Sequence, residues 1–74
     1  MEMHNVTSTR IHAIGHDGKA LFVQFRTKQG APGPTYRYAT AGPEHHEAMR
    51  HSESPGRYFE FEINRVHAGE LVGG

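Results

Sequence analysis

The chain of 74 residues carries eight basic and eight acidic side chains, so its formal net charge at pH 7 is zero. A nucleic-acid-binding domain usually has a basic excess overall, so any nucleic acid must be held here by a local patch. The lack of cysteine excludes disulfides and thiolate metal sites. A chain this short buries only about 60% of the surface that its unfolded form exposes, which predicts one domain with a thin core.

The ends of the sequence predict no structure of their own. The start, "MEMHNVTSTR", lacks the apolar core of a signal peptide, and no apolar run approaches the roughly 20 residues of a membrane span. We therefore expect a soluble, cytoplasmic protein with no membrane partner. The glycines of "HAGELVGG" predict a frayed tail over 67–74. One domain is thus expected over 1–74, with its core at about 6–66.

The stretch "RIHAIGHDGKALFVQFRT" predicts a β-hairpin whose tight turn is Asp17-Gly18. Alternation in the first strand is expected to place two pairs on opposite faces: Ile11 with Ala13, and His12 with Ile14. In the second strand one face is expected to carry Leu21, Val23 and Phe25, and the other face Phe22, Gln24 and Arg26.

A third strand is predicted at "TYRYAT", after a loop "TKQGAPGP" whose glycines and prolines block regular structure. Alternation puts Tyr36 and Tyr38 on one face of this strand and Arg37 on the other. Three strands joined by turns make an antiparallel meander. Such a sheet needs a cover over its apolar face.

Two short helices are the predicted cover. In "GPEHHEAMRHS", Pro43 suits the first helical turn, and Glu44 and Glu47 suit its positive end. The residues 57–66, within "RYFEFEINRV", fit both a strand and a helix by periodicity alone. The predicted fold class is therefore α+β, a three-stranded antiparallel meander covered by two short helices.

Four stretches in order resemble the KTSC domain family: "VTSTRIHAIGHD" (6–17), "ALFVQF" (20–25), "YRY" (36–38) and "SPGRYF" (54–59). Ile63 also falls where that family tends to have isoleucine. The family occurs alone in bacterial and phage proteins and at the C-terminus of some lysyl-tRNA synthetases. Two features depart from its pattern: a longer loop before "YRY", and an end "NRVHAGE" without the expected basic and aromatic residues.

The resemblance implies a helix from about Gly56, because the family pattern has asparagine where Glu60 stands and varies freely at Phe61. It also implies RNA binding as the suspected activity of a family whose function is not established. Because "NRVHAGE" lacks the expected basic and aromatic residues, the resemblance argues against phosphate binding at the C-terminal end.

The "YRY" triplet has two interpretations. In the first, Tyr36 and Tyr38 stack nucleobases on an exposed sheet while Arg37, Arg26 or Lys28 meets phosphates. In the second, the tyrosines pack under the helices, because so small a domain can hardly spare two large apolar side chains. A wider candidate patch takes in seven of the eight basic residues: Arg10, Lys19, Arg26, Lys28, Arg37, Arg57 and Arg65. These form either a local patch or ordinary interspersed surface charge.

Metal binding and catalysis are not predicted. Of seven histidines, His51 lies four residues after Glu47, but two ligands do not make a site, so solvated helix histidines are expected and no metal or cofactor. No nucleophile elbow or phosphate cradle surrounds Ser52 or Ser54. An 8.3 kDa domain also has little room for a pocket of a few hundred cubic ångströms.

The sequence therefore predicts a small binding module for RNA or another single-stranded nucleic acid. Its expected contacts are Arg26, Lys28, Tyr36, Arg37 and Tyr38. The alternative is a protein-interaction module that uses an exposed sheet face, with Ile14, Phe22 and Arg26, or an unpaired sheet edge.

Overall fold

The computed structural model describes residues 2–73, which form an antiparallel sheet of five strands and two helices. The strands are β1 (His4–Asn5), β2 (Ile11–His16), β3 (Leu21–Arg26), β4 (Pro32–Tyr38) and β5 (Glu70–Gly73), and each pairs with its neighbour in the chain. The helices are α1 (Pro43–His51) and α2 (Pro55–Tyr58), and α2 continues as a π-helical segment, Phe59–Asn64. No helix in this part of the chain is long and apolar enough to cross a membrane.

The sheet has five strands where the sequence predicts three, because two edge strands leave almost no pattern in the sequence. β1 is only two residues long, and its His4 pairs with Ile14 of β2. In β5, Leu71 pairs with Tyr36 of β4 but is 58% exposed, so no buried face marks this strand. β5 lies inside the tail that is expected to fray, and the structure instead pairs it with β4. Gly74 lies outside the described residues.

A β-bulge in β2 changes which side chains face the helices. The register with β3 shifts between Ile11, which pairs with Phe25, and Ala13, which pairs with Gln24. Ile11 and Ile14 consequently both reach the core and have no exposed surface. The prediction that Ile14 lies on the face opposite Ile11 is wrong, because strict alternation holds only where the register is regular.

The turn between β2 and β3 is longer than predicted. Four residues, 17–20, connect the strands, since His16 pairs with Leu21. The Asp17 carboxylate accepts hydrogen bonds from the backbone N–H groups of Ala20 and Lys19, both at 2.8 Å. These two hydrogen bonds lower the pKa of Asp17, and the one from Ala20 has the larger effect. Gly18 has a φ of 95°, a left-handed conformation that glycine adopts at little cost.

The ambiguous stretch 57–66 is helical up to Asn64, as the family resemblance implies. Its buried side chains are Phe59 and Ile63, four residues apart on one face of the π-helical segment. They meet Met49 of α1 over the sheet. The helices therefore cover one sheet face, and the other face has no layer of secondary structure on it within residues 2–73.

The core is small, as the length predicts. Its buried members are Ile11, Ile14, Leu21, Val23, Tyr38, Ala41, Met49, Phe59 and Ile63. Partly buried side chains close its edges, among them Phe25, whose ring meets that of Phe59 at 5.1 Å between centroids. The predicted inner face of β3 is thus confirmed, with Phe25 at the margin of the core.

Candidate nucleic-acid interface

The two tyrosines of the "YRY" triplet lie on the sheet face under the helices. Tyr38 is 4% exposed, and its ring packs edge to face on Phe59 at 5.6 Å. Burial, followed by the charge of Tyr36, raises the pKa of Tyr38 to about 12. Tyr36 is half-buried and packs against Phe25 at 5.7 Å. A ring as buried as that of Tyr38 offers no free face to a nucleobase, so the packing interpretation describes this residue.

Arg37 lies on the opposite face of the sheet, beside Phe22 of β3. Its Nη1 donates to Oε1 of Glu70 at 3.1 Å, and this ion pair joins β4 to β5. The structure thus separates Arg37 from both tyrosines. It also separates Arg37 from Arg26, which pairs with Pro32 at the far end of the same two strands.

Arg26 is held by the backbone at the end of β3. Its Nε donates to the carbonyl oxygen of Ser8 at 2.8 Å, and its Nη1 donates to that of Gly30 at 3.1 Å. Lys28 is exposed in the turn that follows, which closes with a hydrogen bond from the N–H of Gly30 to the carbonyl of Thr27 at 2.9 Å. Of the five predicted contact residues, Arg26 and Lys28 therefore lie close together at one end of the sheet.

A groove of about 720 Å³ opens beside Arg26, which is more room than the sequence predicts for so small a domain. We call it the arginine groove. It lies between the loop that joins β1 to β2 and the start of α2. Its lining residues are Val6, Thr7, Ser8, Thr9, Arg10, Arg26, Glu53, Ser54, Pro55, Gly56, Arg57, Glu60 and Phe61.

The loop wall of the arginine groove is fixed by hydrogen bonds. The Ser8 hydroxyl accepts from the backbone N–H groups of Arg10 and Ile11, at 3.1 and 3.2 Å. The backbone N–H of Arg26 donates to the carbonyl of Arg10 at 2.7 Å. The loop is thereby tied to β3 although it forms no strand itself. The loop backbone that carries Arg10 is therefore fixed before any ligand arrives.

Three arginines and two glutamates line the arginine groove, which leaves it one net positive charge. Glu60 is the more engaged glutamate: its carboxylate lies 3.7 Å from Arg10 and 3.8 Å from Arg65. Arg57 is exposed and makes no ion pair within residues 2–73. The groove therefore offers at least one arginine whose charge is not already matched.

Two of the three histidines of α1, His45 and His46, are less solvated than predicted. The Nδ1 of His45 and the hydroxyl of Tyr58 are hydrogen-bonded at 2.8 Å. His46 lies with its ring centroid 5.3 Å from that of His4. Burial, with smaller contributions from His4 and Arg50, lowers the pKa of His46. These rings help attach α1 to its neighbours rather than pointing into water.

The remaining histidines form no metal cluster in the described chain, where no three histidine or acidic side chains converge. His51 is exposed and lies 3.7 Å from Glu47, the pair noted in the sequence. His16 bridges two backbone groups: its Nε2 donates to the carbonyl of Ala41 at 2.9 Å, and its Nδ1 accepts from the N–H of Gly18 at 3.0 Å. These histidines therefore have structural partners or face water.

The sequence includes Arg10 and Arg57 among its basic residues but does not single them out. They lie 47 positions apart and meet only because α2 packs beside the loop before β2. One local signal is present: "SPG" marks the break between the helices. A Cβ atom added at Gly56 would lie in van der Waals contact with Ser8 and Arg10, at 3.5 and 3.6 Å, so there is room for no side chain larger than a methyl group. A small residue at this position lets the two walls approach.

The fold and this groove define a small α+β domain with a one-sided helical cover and an arginine-lined surface. The model of the KTSC domain matches residues 7–66, and the chain belongs to this family. It is similar to the crystal structure of a KTSC domain protein from Yersinia pestis, with 31% sequence identity, 97% of each chain covered and a TM-score of 0.80. No curated protein matches the chain.

Proposed function

We propose that this domain is a non-catalytic module that binds single-stranded RNA in the arginine groove. The observation that carries the proposal is the convergence of Arg10, Arg26 and Arg57, from three separate elements, on one open groove. Guanidinium groups match phosphate oxygens in charge and geometry, and they can donate two parallel hydrogen bonds to one phosphate.

Arg26 keeps donors free for a ligand. A guanidinium carries five N–H groups, and Arg26 uses its Nε and one Nη1 donor on backbone oxygens. The hydroxyls of Thr7, Thr9 and Ser54 line the same groove and add neutral donors. Such a surface can follow a sugar-phosphate backbone without reading its sequence.

The three arginines of the groove can contact about three phosphates of an RNA strand. This small number predicts how strongly the RNA affinity depends on salt concentration. Each phosphate that an arginine neutralises on a single strand contributes a slope of about −0.7 to the logarithm of affinity against the logarithm of salt concentration. Three such contacts give a slope of about −2. Affinity should therefore fall by about 20-fold between 50 and 200 mM salt.

The test is a fluorescence-anisotropy titration of a labelled RNA decamer of mixed sequence, measured at both salt concentrations. Arg57→Ala should weaken binding and reduce the slope, because it removes one phosphate contact. Arg50→Ala is the matched control: it also removes one positive charge, but Arg50 is on α1, next to Glu47 at 3.6 Å and outside the groove lining. Equal losses in the two variants, or no binding by the unaltered protein at 50 mM salt, would contradict the proposal.

A protein-interaction module is the second candidate, and the observation that favours it is the outer edge of β5. Leu71 and Val72 there are 58% and 45% exposed, and β5 is the last strand of the sheet. An extended segment of a partner adds to such an edge through backbone hydrogen bonds. The sequence predicts Ile14 in the alternative interface on the exposed sheet face, and that prediction is wrong for Ile14, which is fully buried. Binding of a protein partner that resists 200 mM salt and is lost in Leu71→Lys would support this candidate.

A further inference from the structure

Phe61 is the one exposed ring among the phenylalanines and tyrosines of residues 2–73. It lies in the π-helical segment, where its neighbours Phe59 and Ile63 are buried, and it is 50% exposed. An exposed phenylalanine contributes no burial free energy to folding, because its apolar surface stays in solvent. The π-helical segment thus holds a large ring outward at the margin of the arginine groove.

One face of the Phe61 ring is already covered. The Cζ of Arg65 lies 4.7 Å from the ring centroid, a cation–π contact. Arg65 is itself positioned by Glu60, whose carboxylate lies 3.8 Å from its Nε. The ring is therefore supported from one side by Arg65, and half of the residue's surface remains exposed.

Arg57 stands one helical turn before Phe61, and the two residues line not only the arginine groove but also a second groove of about 460 Å³. They form the ridge between two depressions that a chain molecule can cross. Residues three and four apart on a helix are neighbours on its surface, so a guanidinium and an aromatic ring are presented side by side. Adjacent cationic and aromatic groups are the components from which single-strand sites are built.

We propose that Phe61 is a nucleobase-stacking platform, on which one unpaired base lies against the ring face opposite Arg65 while the adjoining phosphate meets Arg57. This rests on the proposed function and deepens it. A base inside a duplex has both faces covered by its neighbours, so a platform of this kind selects unpaired strands. Stacking on a ring also tolerates any base sequence, because every base has a π-face.

Three RNA ligands separate stacking from charge: a single-stranded decamer, the same decamer with an abasic site at every position, and the blunt duplex. All three retain the sugar-phosphate backbone. The protein should bind the single strand about tenfold more tightly than the abasic strand, and the duplex more weakly still. Phe61→Leu, which keeps an apolar side chain but removes the ring, should lose about tenfold in affinity for the single strand and none for the abasic strand.

Val66→Ala is the matched control, because Val66 is also an exposed apolar residue, at 67%, but lines neither groove. It should leave all affinities unchanged. A decamer that carries 2-aminopurine at its centre reports a change in base stacking: its fluorescence should change when the unaltered protein binds and should change less when Phe61→Leu binds. Melting curves of both variants should match the unaltered protein, since neither side chain belongs to the core.

The outcomes distinguish this inference from the proposed function. If the single strand binds in an Arg57-dependent way but Phe61→Leu binds equally well, the platform is wrong and the RNA function stands. Equal affinity of the unaltered protein for the single strand and the abasic strand also contradicts the platform alone. If the unaltered protein binds none of the three RNAs at 50 mM salt, both proposals are wrong.

Discussion

The ring of Tyr38 meets the ring of Phe59 edge to face, with 5.6 Å between their centroids, and so joins β4 to the π-helical segment. We expect Tyr38→Ala to lower the free energy of unfolding by about 3–5 kcal/mol, since it removes a buried aromatic ring. That is a large share of the total, because the unfolding free energy of a small domain is about 5 kcal/mol. Denaturant unfolding measures it. Tyr38→Phe, which keeps the ring, should cost less than about 1.5 kcal/mol, and equal losses in both variants would contradict this packing role.

The same burial predicts an alkaline transition. Since the pKa of Tyr38 is raised from 10.0 to about 12, the folded state retains a proton that the unfolded state releases. Its contribution to stability is complete below pH 10 and is lost as the pH rises towards 12. We expect one of the three tyrosines to ionise only as the protein unfolds, measured by tyrosinate absorbance together with circular dichroism. Ionisation of all three before unfolding would contradict it.

Gly69 is predicted to be intolerant of alanine. A Cβ atom there would lie 2.6 Å from Cε2 and 2.8 Å from Cζ of Tyr38, whose ring is too buried to move aside. We expect Gly69→Ala to cost about 1–3 kcal/mol of unfolding free energy, the usual range for overpacking. Gly56→Ala is the control, because its Cβ would meet Ser8 at an ordinary 3.5 Å. A Gly69→Ala variant as stable as Gly56→Ala would show that the Tyr38 ring can move away from the added Cβ atom, which contradicts the prediction.

Acid should weaken the attachment of α1 through His46. Its pKa is lowered in the folded state, so the unfolded chain binds the proton more readily, and stability falls as the pH drops through the ordinary value of 6.5. The groups that face His46 are His4, His16, Arg50 and Glu47, of which only the last favours protonation.

We expect the melting temperature to fall between pH 7.5 and pH 5.5, and to fall less in His46→Gln. His51→Gln serves as its control, since it removes an imidazole that is 76% exposed on the same helix. A pH dependence that is identical in unaltered protein and His46→Gln would exclude His46 as the cause.

Arg37 tests whether RNA uses the groove or the solvent-facing side of the sheet. Its ion pair with Glu70 is exposed, so Arg37→Ala should cost no more than about 1 kcal/mol of unfolding free energy. We expect its RNA affinity to equal that of the unaltered protein, unlike that of Arg57→Ala. A greater loss of binding in Arg37→Ala would return the site to the sheet face that the sequence predicts.

The central hairpin, the third strand and the first helix follow from the sequence because local rules decide them: alternation gives the inner face of β3, and Pro43 marks the first turn of α1. The second helix is ambiguous by periodicity and follows only from the family resemblance. The orientation of Ile14 does not follow, because a bulge is a property of the pairing of two strands. A single strand read alone carries no trace of the register shift.

The groove is predictable only in part. Arg26 is a predicted contact residue, but alternation assigns it to the sheet face opposite the helices. Its place in the groove with Arg57, from a distant helix, depends on how α2 packs. Phe61 is the least predictable residue, because alternation with Glu60 and Glu62 fits a strand. The helical structure of this segment shows that Phe59 and Ile63 point inward while Phe61 points out.

The agreement between strand order and chain order has a consequence for how the molecule assembles. β1 to β4 can pair as successive hairpins, each closing a short loop. β5 must instead wait for a much longer closure, since Glu70 lies 33 positions beyond Arg37, and the entropy of closing a loop grows with its length. We therefore expect β5 to join last and to open first, so that the backbone amides of 70–73 exchange with deuterium while those of β3 remain protected. The domain is thus expected to form its first four strands and dock both helices before β5 pairs with β4.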